Sequence, residues 1–377
     1  MKNLNRRQWL RTAGLAAGAA AFIGPSAVAG VPSFGDYLRK IDGLDLPPGV
    51  IKLSSNENPY GPSEKARQAM VAAFDDACRY PFQERVDLTN KLAEKYGLSP
   101  DHILVTIGST EGLKITALTY AIDGEIVTAD PTFEAMLYYA EHFGAHIVRV
   151  PVKDDMTTDL NGMDRRISNN TNLVFLCNPN NPTGTIVDAR ELQQFCEATS
   201  RRTMLFSDEA YYDYITEPGY PSMVELVKKD YNVIVSKTFS KVYGLAGLRI
   251  GYLIARPDII ARLKERQVER TTVLSCHAAS AALDEQDFYR FSLQKTNEAK
   301  KIIYDTLDEI GLKYVPSHAN FIFFETGREI DDFRQQMLDL GIRVGRPFPP
   351  FRKWCRVSTG TIEEVQQLRS ALLKAFS

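Results

Sequence analysis

The chain has few cysteines, and they lack the spacing of common metal sites. The five residues are Cys78, Cys177, Cys196, Cys276 and Cys355. An odd number without a CxxC pair excludes a zinc ribbon and argues against a dense disulfide framework. In an oxidising compartment one pair could still bond, and the sequence does not say which. We predict no metal site.

The chain also lacks a large excess of charge of either sign. Its 45 Lys and Arg residues and 47 Asp and Glu residues give a formal net charge of -2. Nucleic acids and anionic membranes favour a basic surface, so this balance argues against both as the main partner. The chain has 377 residues, 44% of them hydrophobic, which is enough for two domains with a sizeable core.

The N-terminus has the three parts of a secretory signal. Two adjacent arginines, Arg6 and Arg7, precede an apolar run from Ala13 to Ile23 and a small-residue site at Ala27-Val28-Ala29. We therefore predict a twin-arginine signal peptide over residues 1–29, export by the Tat machinery, and a periplasmic or secreted protein that has no membrane contact after cleavage. The alternatives are a membrane anchor and a chance basic helix. The run is short and Ala-rich for a bilayer core of roughly 30 Å.

Short apolar runs alternate with helical patterns between about Gly61 and Ala282. These runs are Ile103 to Ile107, Glu125 to Ala129, Ile147 to Val150, Leu173 to Leu176, Met204 to Ser207, Asn232 to Ser236 and Ile250 to Ile254. The alternation predicts an α/β fold with a mostly parallel, seven-stranded type of sheet. From Ala299 the pattern indicates a smaller α+β domain. We expect a large domain over residues 61–285, a small one over 286–377, and a segment over 30–60 that joins the small domain.

The stretch from Ser236 to Gly251 sets a lysine just after a predicted strand and an arginine eight residues later. A lysine that holds an aldehyde must be unprotonated when it attacks, and a fixed cation can hold a phosphate nearby. Lys241 and Arg249 are the candidates, and the pattern suits pyridoxal 5'-phosphate (PLP). The alternative is a surface lysine beside an ordinary glycine-rich turn.

Two further segments place polar side chains directly after buried runs. Asn181, in NPNNPTG, could hydrogen-bond the phenolic oxygen of a pyridine ring, and Tyr211 could share that oxygen. Asp208, in DEAY, could keep the ring nitrogen protonated, so that the ring accepts an electron pair. The alternatives are an Asn-Pro turn and a helix cap.

A predicted strand, a small-residue turn and a predicted helix meet around Gly108, Ser109 and Thr110. Backbone N–H groups and the positive end of a helix dipole converge in such a turn, which favours phosphate binding. Downstream, Phe133 could stack on the face of a cofactor ring or could be an ordinary core residue.

These segments carry a resemblance to a known family. The opening SSNENPYGPS at Ser54 to Ser63, the NPNNPTG and DEAY segments, and the lysine-to-arginine stretch occur in the order found in class I/II aminotransferases of PLP fold type I. The chain most closely resembles the histidinol-phosphate aminotransferase family. The resemblance extends over most of the chain after residue 50 and implies a homodimer.

The resemblance also implies a role for each matched position. Lys241 would form the Schiff base and then move a proton, Asp208 would pair with the ring nitrogen, and Arg356 would grip the substrate carboxylate. The positions implied to contact the ring or its oxygen are Asn181, Tyr211 and Phe133. Those implied to bind phosphate are Ser109, Thr110, Thr238, Ser240 and Arg249, with Tyr60 reaching across from the partner subunit. Asn320 lies where related enzymes contact the substrate carboxylate.

One departure from the family concerns the substrate. The family has an arginine directly after the Gly-Ile-x-Val run, where it helps to bind a distal phosphate. Here Gly345 takes that place and Arg346 follows one residue later. A shift of one residue in a strand reverses the direction of a side chain. This departure and the predicted export argue against histidinol phosphate as the substrate.

We therefore predict a PLP-dependent aminotransferase that moves the amino group of an amino acid to a 2-oxo acid. One alternative is an oxygen-using amino-acid oxidase or a decarboxylase on the same fold, since the motifs do not fix the outcome after the first bond breaks. Another is a non-catalytic PLP-binding protein. The twin-arginine route carries folded proteins, which suits an enzyme that loads its cofactor before export.

Overall fold

The structure is a computed structural model that describes residues 47–268 and 270–377. The predicted signal peptide and most of the segment over 30–60 lie outside the described residues. The described strands are β1 (Ile51–Lys52), β2 (Ile103–Thr106), β3 (Glu125–Asp130), β4 (His146–Pro151), β5 (Thr171–Cys177), β6 (Met204–Asp208), β7 (Val233–Thr238), β8 (Gly251–Ile254), β9 (Tyr314–Val315), β10 (Phe321–Glu325), β11 (Ile342–Arg343) and β12 (Trp354–Ser358).

The described α-helices lie between most successive strands, and the longest of them has 24 residues. They are α1 (Glu64–Ala72), α2 (Phe82–Tyr96), α3 (Gly108–Tyr120), α4 (Ala135–His142), α5 (Leu160–Arg166), α6 (Ala189–Ser200), α7 (Val224–Val227), α8 (Pro257–Lys264), α9 (Val273–Asp284), α10 (Gln286–Glu309), α11 (Ile330–Asp339) and α12 (Ile362–Phe376). Side-chain caps begin several of them. The last helix has a full capping box between Thr361 and Glu364.

A seven-stranded sheet forms the centre of the larger part of the fold. Its strand order is β2-β8-β7-β6-β5-β3-β4, and β8 runs antiparallel to both of its neighbours while the other pairings are parallel. All seven predicted apolar runs contribute to this sheet. Strands β5 to β7 are buried almost throughout because helices cover both faces of a parallel sheet.

A smaller unit is built around two short sheets. Strands β12-β10-β9 form an antiparallel sheet, and β1 pairs in parallel with β11. Backbone hydrogen bonds from Leu53 to Arg343 and from Ser358 to Leu53 place the segment after β1 between β11 and β12. The predicted α/β fold, with a large mostly parallel sheet and a smaller α+β unit, is confirmed.

Helix α10 connects the hydrophobic clusters of the two parts. Tyr289 and Leu293, in its first half, pack on the cluster of the large sheet. Ala299, Ile303 and Leu307, in its second half, belong to the cluster that also includes α11 and α12. One continuous helix therefore sets the distance between the large sheet and the small ones.

The described residues contain neither a membrane-spanning helix nor a cluster of metal-binding side chains. None of their helices is long and apolar enough to cross a bilayer. They contain no group of three or more His, Cys, Asp or Glu side chains that could hold a metal ion.

Candidate active site

The predicted site residues come from the carboxyl ends of neighbouring strands. Asn181 follows β5, Asp208 ends β6, and Lys241 follows β7. These three strands are adjacent and parallel, so their ends meet at one edge of the sheet. Arg356, from β12 of the smaller unit, reaches the same group of residues.

Lys241 is half-buried, and its amine is held by backbone oxygens. Its Nζ donates to the carbonyl oxygen of Asn56 at 2.9 Å and lies 3.5 Å from that of Ser55. Burial of the amine, reinforced by the nearby cation of Arg356, lowers the pKa of Lys241 to about 8. A much larger share of this amine is therefore neutral near pH 7 than of an ordinary lysine, and a lysine nucleophile requires the neutral form.

Asp208 is almost fully buried, with 2% of its surface exposed. Burial raises the pKa of Asp208 to about 7, while an N–H from Ala210 at 3.1 Å and the charge of Lys241 act in the opposite direction. A cation placed against this carboxyl would lower its pKa again, because an opposite charge favours the ionised form. Asp208 is therefore suited to pair with a protonated ring nitrogen.

Asn56 links several of these groups, although its own backbone has a positive φ of 54°. Its Nδ2 donates to the Tyr211 hydroxyl at 3.0 Å, and its carbonyl oxygen accepts from both Lys241 and Asn320. Its N–H and Oδ1 both bond the Ser358 hydroxyl, at 2.7 and 2.9 Å. A left-handed asparagine in such a network is typical of a functional site.

Arg356 and Asn181 are in direct contact. An Nη1 donor of Arg356 lies 2.7 Å from Asn181 Oδ1, and Nη2 donates to the carbonyl oxygen of Ser54 at 2.6 Å. Arg356 is buried, and its guanidinium lies 4.9 Å from the centre of the Phe348 ring. Arg356, predicted to bind the substrate carboxylate, and Asn181, predicted to contact the ring, are therefore joined by a hydrogen bond.

At the start of α3, Gly108 has no side chain, and the Arg249 guanidinium occupies the space beside it. We call this arrangement the Gly108 cradle. Gly108 has a φ of 70°, and a Cβ there would lie 2.5 Å from Arg249 Nη2. The Arg249 guanidinium therefore lies directly over the first turn of α3, where unpaired N–H groups and the helix dipole favour an anion. Arg249 itself has a φ of 50°, a strained conformation for a non-glycine residue.

The other predicted phosphate contacts are hydroxyls. Ser109 and Thr110, both half-buried, lie in the first turn of α3. Thr238 Oγ1 donates to Ser240 Oγ at 3.0 Å and accepts from the Ser240 N–H at 3.1 Å. This donor set and the Gly108 cradle fit a phosphate monoester such as that of PLP.

Three predicted residues have other contacts in this chain. The Tyr60 hydroxyl accepts from the Ile362 N–H at 3.1 Å, at the start of α12. Phe133 is half-buried between β3 and α4. Asn320 is buried and donates to the Asn56 carbonyl oxygen, while its Oδ1 has no hydrogen-bond partner among residues 47–268 and 270–377. That unsatisfied atom suits a donor group on a ligand.

Comparison with known proteins agrees with this geometry. The family described as aminotransferase class I and II matches residues 48–372. The chain belongs to this family. A histidinol-phosphate aminotransferase of Moorella thermoacetica is 40% identical over 328 residues, which cover 86% of this chain and 84% of that protein.

Solved structures of known proteins share the fold of this chain. The histidinol-phosphate aminotransferase of Sinorhizobium meliloti in complex with pyridoxal-5'-phosphate has a TM-score of 0.82 and 28% identity, covering 94% of this chain and 97% of that one. The L-threonine-O-3-phosphate decarboxylase of Porphyromonas gingivalis shares the fold, with a TM-score of 0.74 and 21% identity over 86% and 99% of the two chains. The predictions of PLP fold type I, of the PLP cofactor and of an aminotransferase are confirmed.

In this class I and II aminotransferase, the cofactor and each site residue are suited to different steps of the reaction. Bound PLP supplies an aldehyde for the substrate's amino group and a ring that accepts the electron pair released at the α-carbon. The neutral Nζ of Lys241 can take the proton from that carbon, and Asp208 can hold a proton on the ring nitrogen. Arg356 can fix the carboxylate, and burial raises the pKa of Tyr211, which keeps its hydroxyl a neutral donor.

Sequence reasoning missed the central position of Asn56 and the supporting roles of Ser54 and Ser358. All three lie on the segment and strand that the smaller unit contributes. Asn56 is part of the SSNENPYGPS motif, so the signal was present. The motif indicated family membership, but its contact with a lysine 185 positions away depends on tertiary structure.

The replacement of an arginine by Gly345 has a steric cause. The Gly345 N–H donates to the Arg356 carbonyl oxygen at 2.9 Å, and a Cβ at Gly345 would lie 2.5 Å from that same oxygen. Strand β11 ends at Arg343, so the alternation of strand side chains does not decide where Arg346 points. Arg346 instead is buried and pairs with Glu134 at 2.8 Å.

The cradle at the start of α3 can be tested with Gly108→Ala. The new methyl group would displace the Arg249 guanidinium, so we expect PLP affinity to fall by about 10-fold or more, as for a lost charged hydrogen bond. The measurement is equilibrium binding of PLP to the cofactor-free protein. Gly97→Ala is the control, because Gly97 also has a positive φ (63°) but has no atom within 4 Å of the added Cβ. An equal loss in both variants would contradict the cradle.

The environment of Lys241 predicts how cofactor loading depends on pH. Only the neutral amine attacks an aldehyde, so the loading rate should rise with pH through a midpoint near the Lys241 pKa of about 8. Arg356→Gln removes a cation that lowers this pKa, so the midpoint should move to higher pH. Stopped-flow absorbance measures the rate, and Arg352→Gln, at an exposed arginine, is the control. A midpoint that stays fixed or moves down would refute this assignment.

Proposed function

We propose that this chain transfers the amino group of an α-amino acid to a 2-oxo acid, with Lys241 as the lysine that carries PLP. The observation that supports this role most strongly is the position of the Lys241 amine, which is held by the Asn56 carbonyl oxygen and feels the charges of both Asp208 and Arg356. The amino acid and the 2-oxo acid each carry a carboxylate that would bind Arg356, which lies beside Asn181. A single site of this kind can serve two acids in turn.

The substrate is proposed to differ from that of the relatives named above. Two of those proteins are histidinol-phosphate aminotransferases, whereas this chain has no room for a side chain at Gly345. The next arginine, Arg346, already holds the Glu134 carboxylate. A distal phosphate would have to compete with that carboxylate for the cation. An amino acid without a distal phosphate therefore fits this site better.

A homodimer is part of the proposal. Five large apolar side chains from the end of α1 to the first half of α2 are 47% to 80% exposed: Val71, Phe74, Tyr80, Phe82 and Val86. A run of exposed apolar side chains of this size is typical of a protein interface. In the resembled family such a dimer brings the counterpart of Tyr60 to the phosphate of the other subunit.

Export is the last part of the proposal. The adjacent arginines, the short Ala-rich run and the small-residue site support a twin-arginine signal, and they lie in the residues outside the described part of the structure. An exported aminotransferase would act on amino acids of the periplasm or the surroundings.

The proposed reaction predicts transfer without oxygen consumption. The purified protein, loaded with PLP, should convert a 2-oxo acid to its amino acid at the expense of an amino-acid donor, in equal amounts and without oxygen uptake. Lys241→Ala should lower this rate by at least about 100-fold, because the same side chain holds the cofactor and moves the proton. Amino-acid analysis with an oxygen electrode provides both readings.

A chemical label separates Lys241 from its neighbour Lys237. Borohydride reduction should fix the cofactor on Lys241, as read by peptide mass spectrometry. Lys237 is a suitable comparison because it is also buried but forms an ion pair with Glu209 at 2.7 Å. A label on Lys237, or hydrogen peroxide formed in place of a new amino acid, would overturn the proposed assignment.

The dimer predicts that polar changes in the apolar run will separate the subunits. Phe74→Ser combined with Phe82→Ser should shift the protein from dimer to monomer in sedimentation, because an interface loses two large apolar contacts. Ile122→Ser, at another exposed apolar side chain, should leave the dimer intact. A monomeric wild-type protein at micromolar concentration would contradict the proposal.

The signal predicts where the full chain is found in the cell. Arg6→Lys combined with Arg7→Lys should retain it in the cytoplasm, because the arginine pair is the feature read by the export machinery. Cell fractionation measures the distribution, and Arg11→Lys outside the pair is the control. Unchanged export of the double variant would argue against this route.

A further inference from the structure

Glu134 and Arg346 form an ion pair that the reaction described above does not use. Arg346 Nη2 lies 2.8 Å from Glu134 Oε2, and the two side chains are 8% and 28% exposed. Arg346 Nη1 also donates to the Pro347 carbonyl oxygen at 2.9 Å. Burying a charge is costly unless it is well paired, so Glu134 stabilises the buried position of Arg346.

The pair lies next to the proposed substrate grip. The guanidinium carbons of Arg346 and Arg356 are 4.3 and 4.9 Å from the centre of the same Phe348 ring. Because these distances are measured to one point, the two carbons are at most 9.2 Å apart. Glu134 directly follows Phe133, the proposed ring contact at the carboxyl end of β3. The pair is therefore close enough to meet the side chain of a substrate held by Arg356.

The position of Arg346 is fixed by aromatic packing. Phe348 packs edge-to-face on Phe323, with ring centres 6.2 Å apart, and forms a β-bridge with Phe351. Phe323 in turn contacts Trp354 at 5.1 Å. This packed aromatic cluster supports the Phe348 ring on which the Arg346 guanidinium lies, while Glu134 and the Pro347 carbonyl oxygen hold that guanidinium from its other sides.

The charges of this pair decide which distal group is tolerated. An anionic group that approaches Arg346 also approaches the Glu134 carboxylate, and a cationic group attracted to Glu134 also meets Arg346. An uncharged group suffers neither repulsion. We propose that the Glu134–Arg346 pair contacts the distal group of the substrate and thereby selects amino acids with uncharged side chains. This inference rests on the proposed aminotransfer at Lys241 and Arg356.

The experiment compares substrates of matched size on full-length, PLP-loaded protein. We expect kcat/KM to favour glutamine over glutamate and lysine in the wild type. Glu134→Gln should raise the glutamate-to-glutamine ratio by about 10-fold or more, because a nearby charge in a partly buried site has an effect of that order. Arg346→Gln should raise the lysine-to-glutamine ratio by a similar factor. The double variant, neutral again, should return both ratios towards the wild type.

A control and a second reading keep the inference separate from the proposed function. Glu141→Gln alters an exposed carboxylate on α4, the helix that follows Glu134, where it pairs with Arg149 at 3.3 Å, and should leave the ratios unchanged. Binding of glutarate and of valerate, unreactive acids of equal chain length, is followed by thermal shift. Glu134→Gln should strengthen binding of glutarate relative to valerate.

The outcomes are distinct. Suppose that the wild type transfers no amino group, but that Glu134→Gln strengthens glutarate binding as expected. This result would refute the proposed function and retain the role of the pair. An active wild type whose ratios stay within about twofold in all variants would overturn the inference. A wild type that prefers glutamate to glutamine would overturn it as well.

Discussion

The site depends on a desolvated Lys241 amine that forms no ion pair with a carboxylate of the described residues. A backbone oxygen from Asn56 accepts its hydrogen bond, while Arg356 and Arg249 add positive potential. A lysine paired closely with a carboxylate would remain an ammonium ion and could not attack an aldehyde. Lys237, four residues earlier, shows this contrast: its ion pair with Glu209 raises its pKa despite complete burial. The pKa values of two lysines on one segment are therefore shifted in opposite directions for physical reasons.

This arrangement requires both parts of the fold. The large sheet supplies Asp208 and Lys241, but the backbone oxygen that holds the amine comes from Asn56, on the segment that lies between β11 and β12. Ser358, on β12, fixes Asn56, and Arg356, on the same strand, contacts Asn181 from the large sheet. Any movement of the small sheets against the large one would therefore change the surroundings of the Lys241 amine. Helix α10, which packs on both clusters, limits that movement.

Much of the fold could be predicted from the sequence because buried parallel strands appear as short apolar runs, and the seven runs of the large sheet were recognisable. The candidate residues at strand ends were predictable for the same reason, since polar residues directly after such runs meet at one edge. The network around Asn56 was not predictable, because it joins residues more than 150 positions apart. The absence of an arginine at position 345 was visible, but its cause, the nearby Arg356 carbonyl oxygen, was not. Contacts between sheets carry no periodic signal in the chain.

The measurement that tests the central claim most directly is a crystal structure of the protein loaded with PLP. The account predicts continuous density between the cofactor and Lys241 Nζ, and a phosphate within roughly 2.7 to 3.2 Å of the first-turn N–H groups of α3 and of Arg249. It also predicts the ring nitrogen at the same distance from Asp208. A cofactor bound elsewhere, or a phosphate remote from Gly108 with Lys241 still bonded only to Asn56, would contradict it.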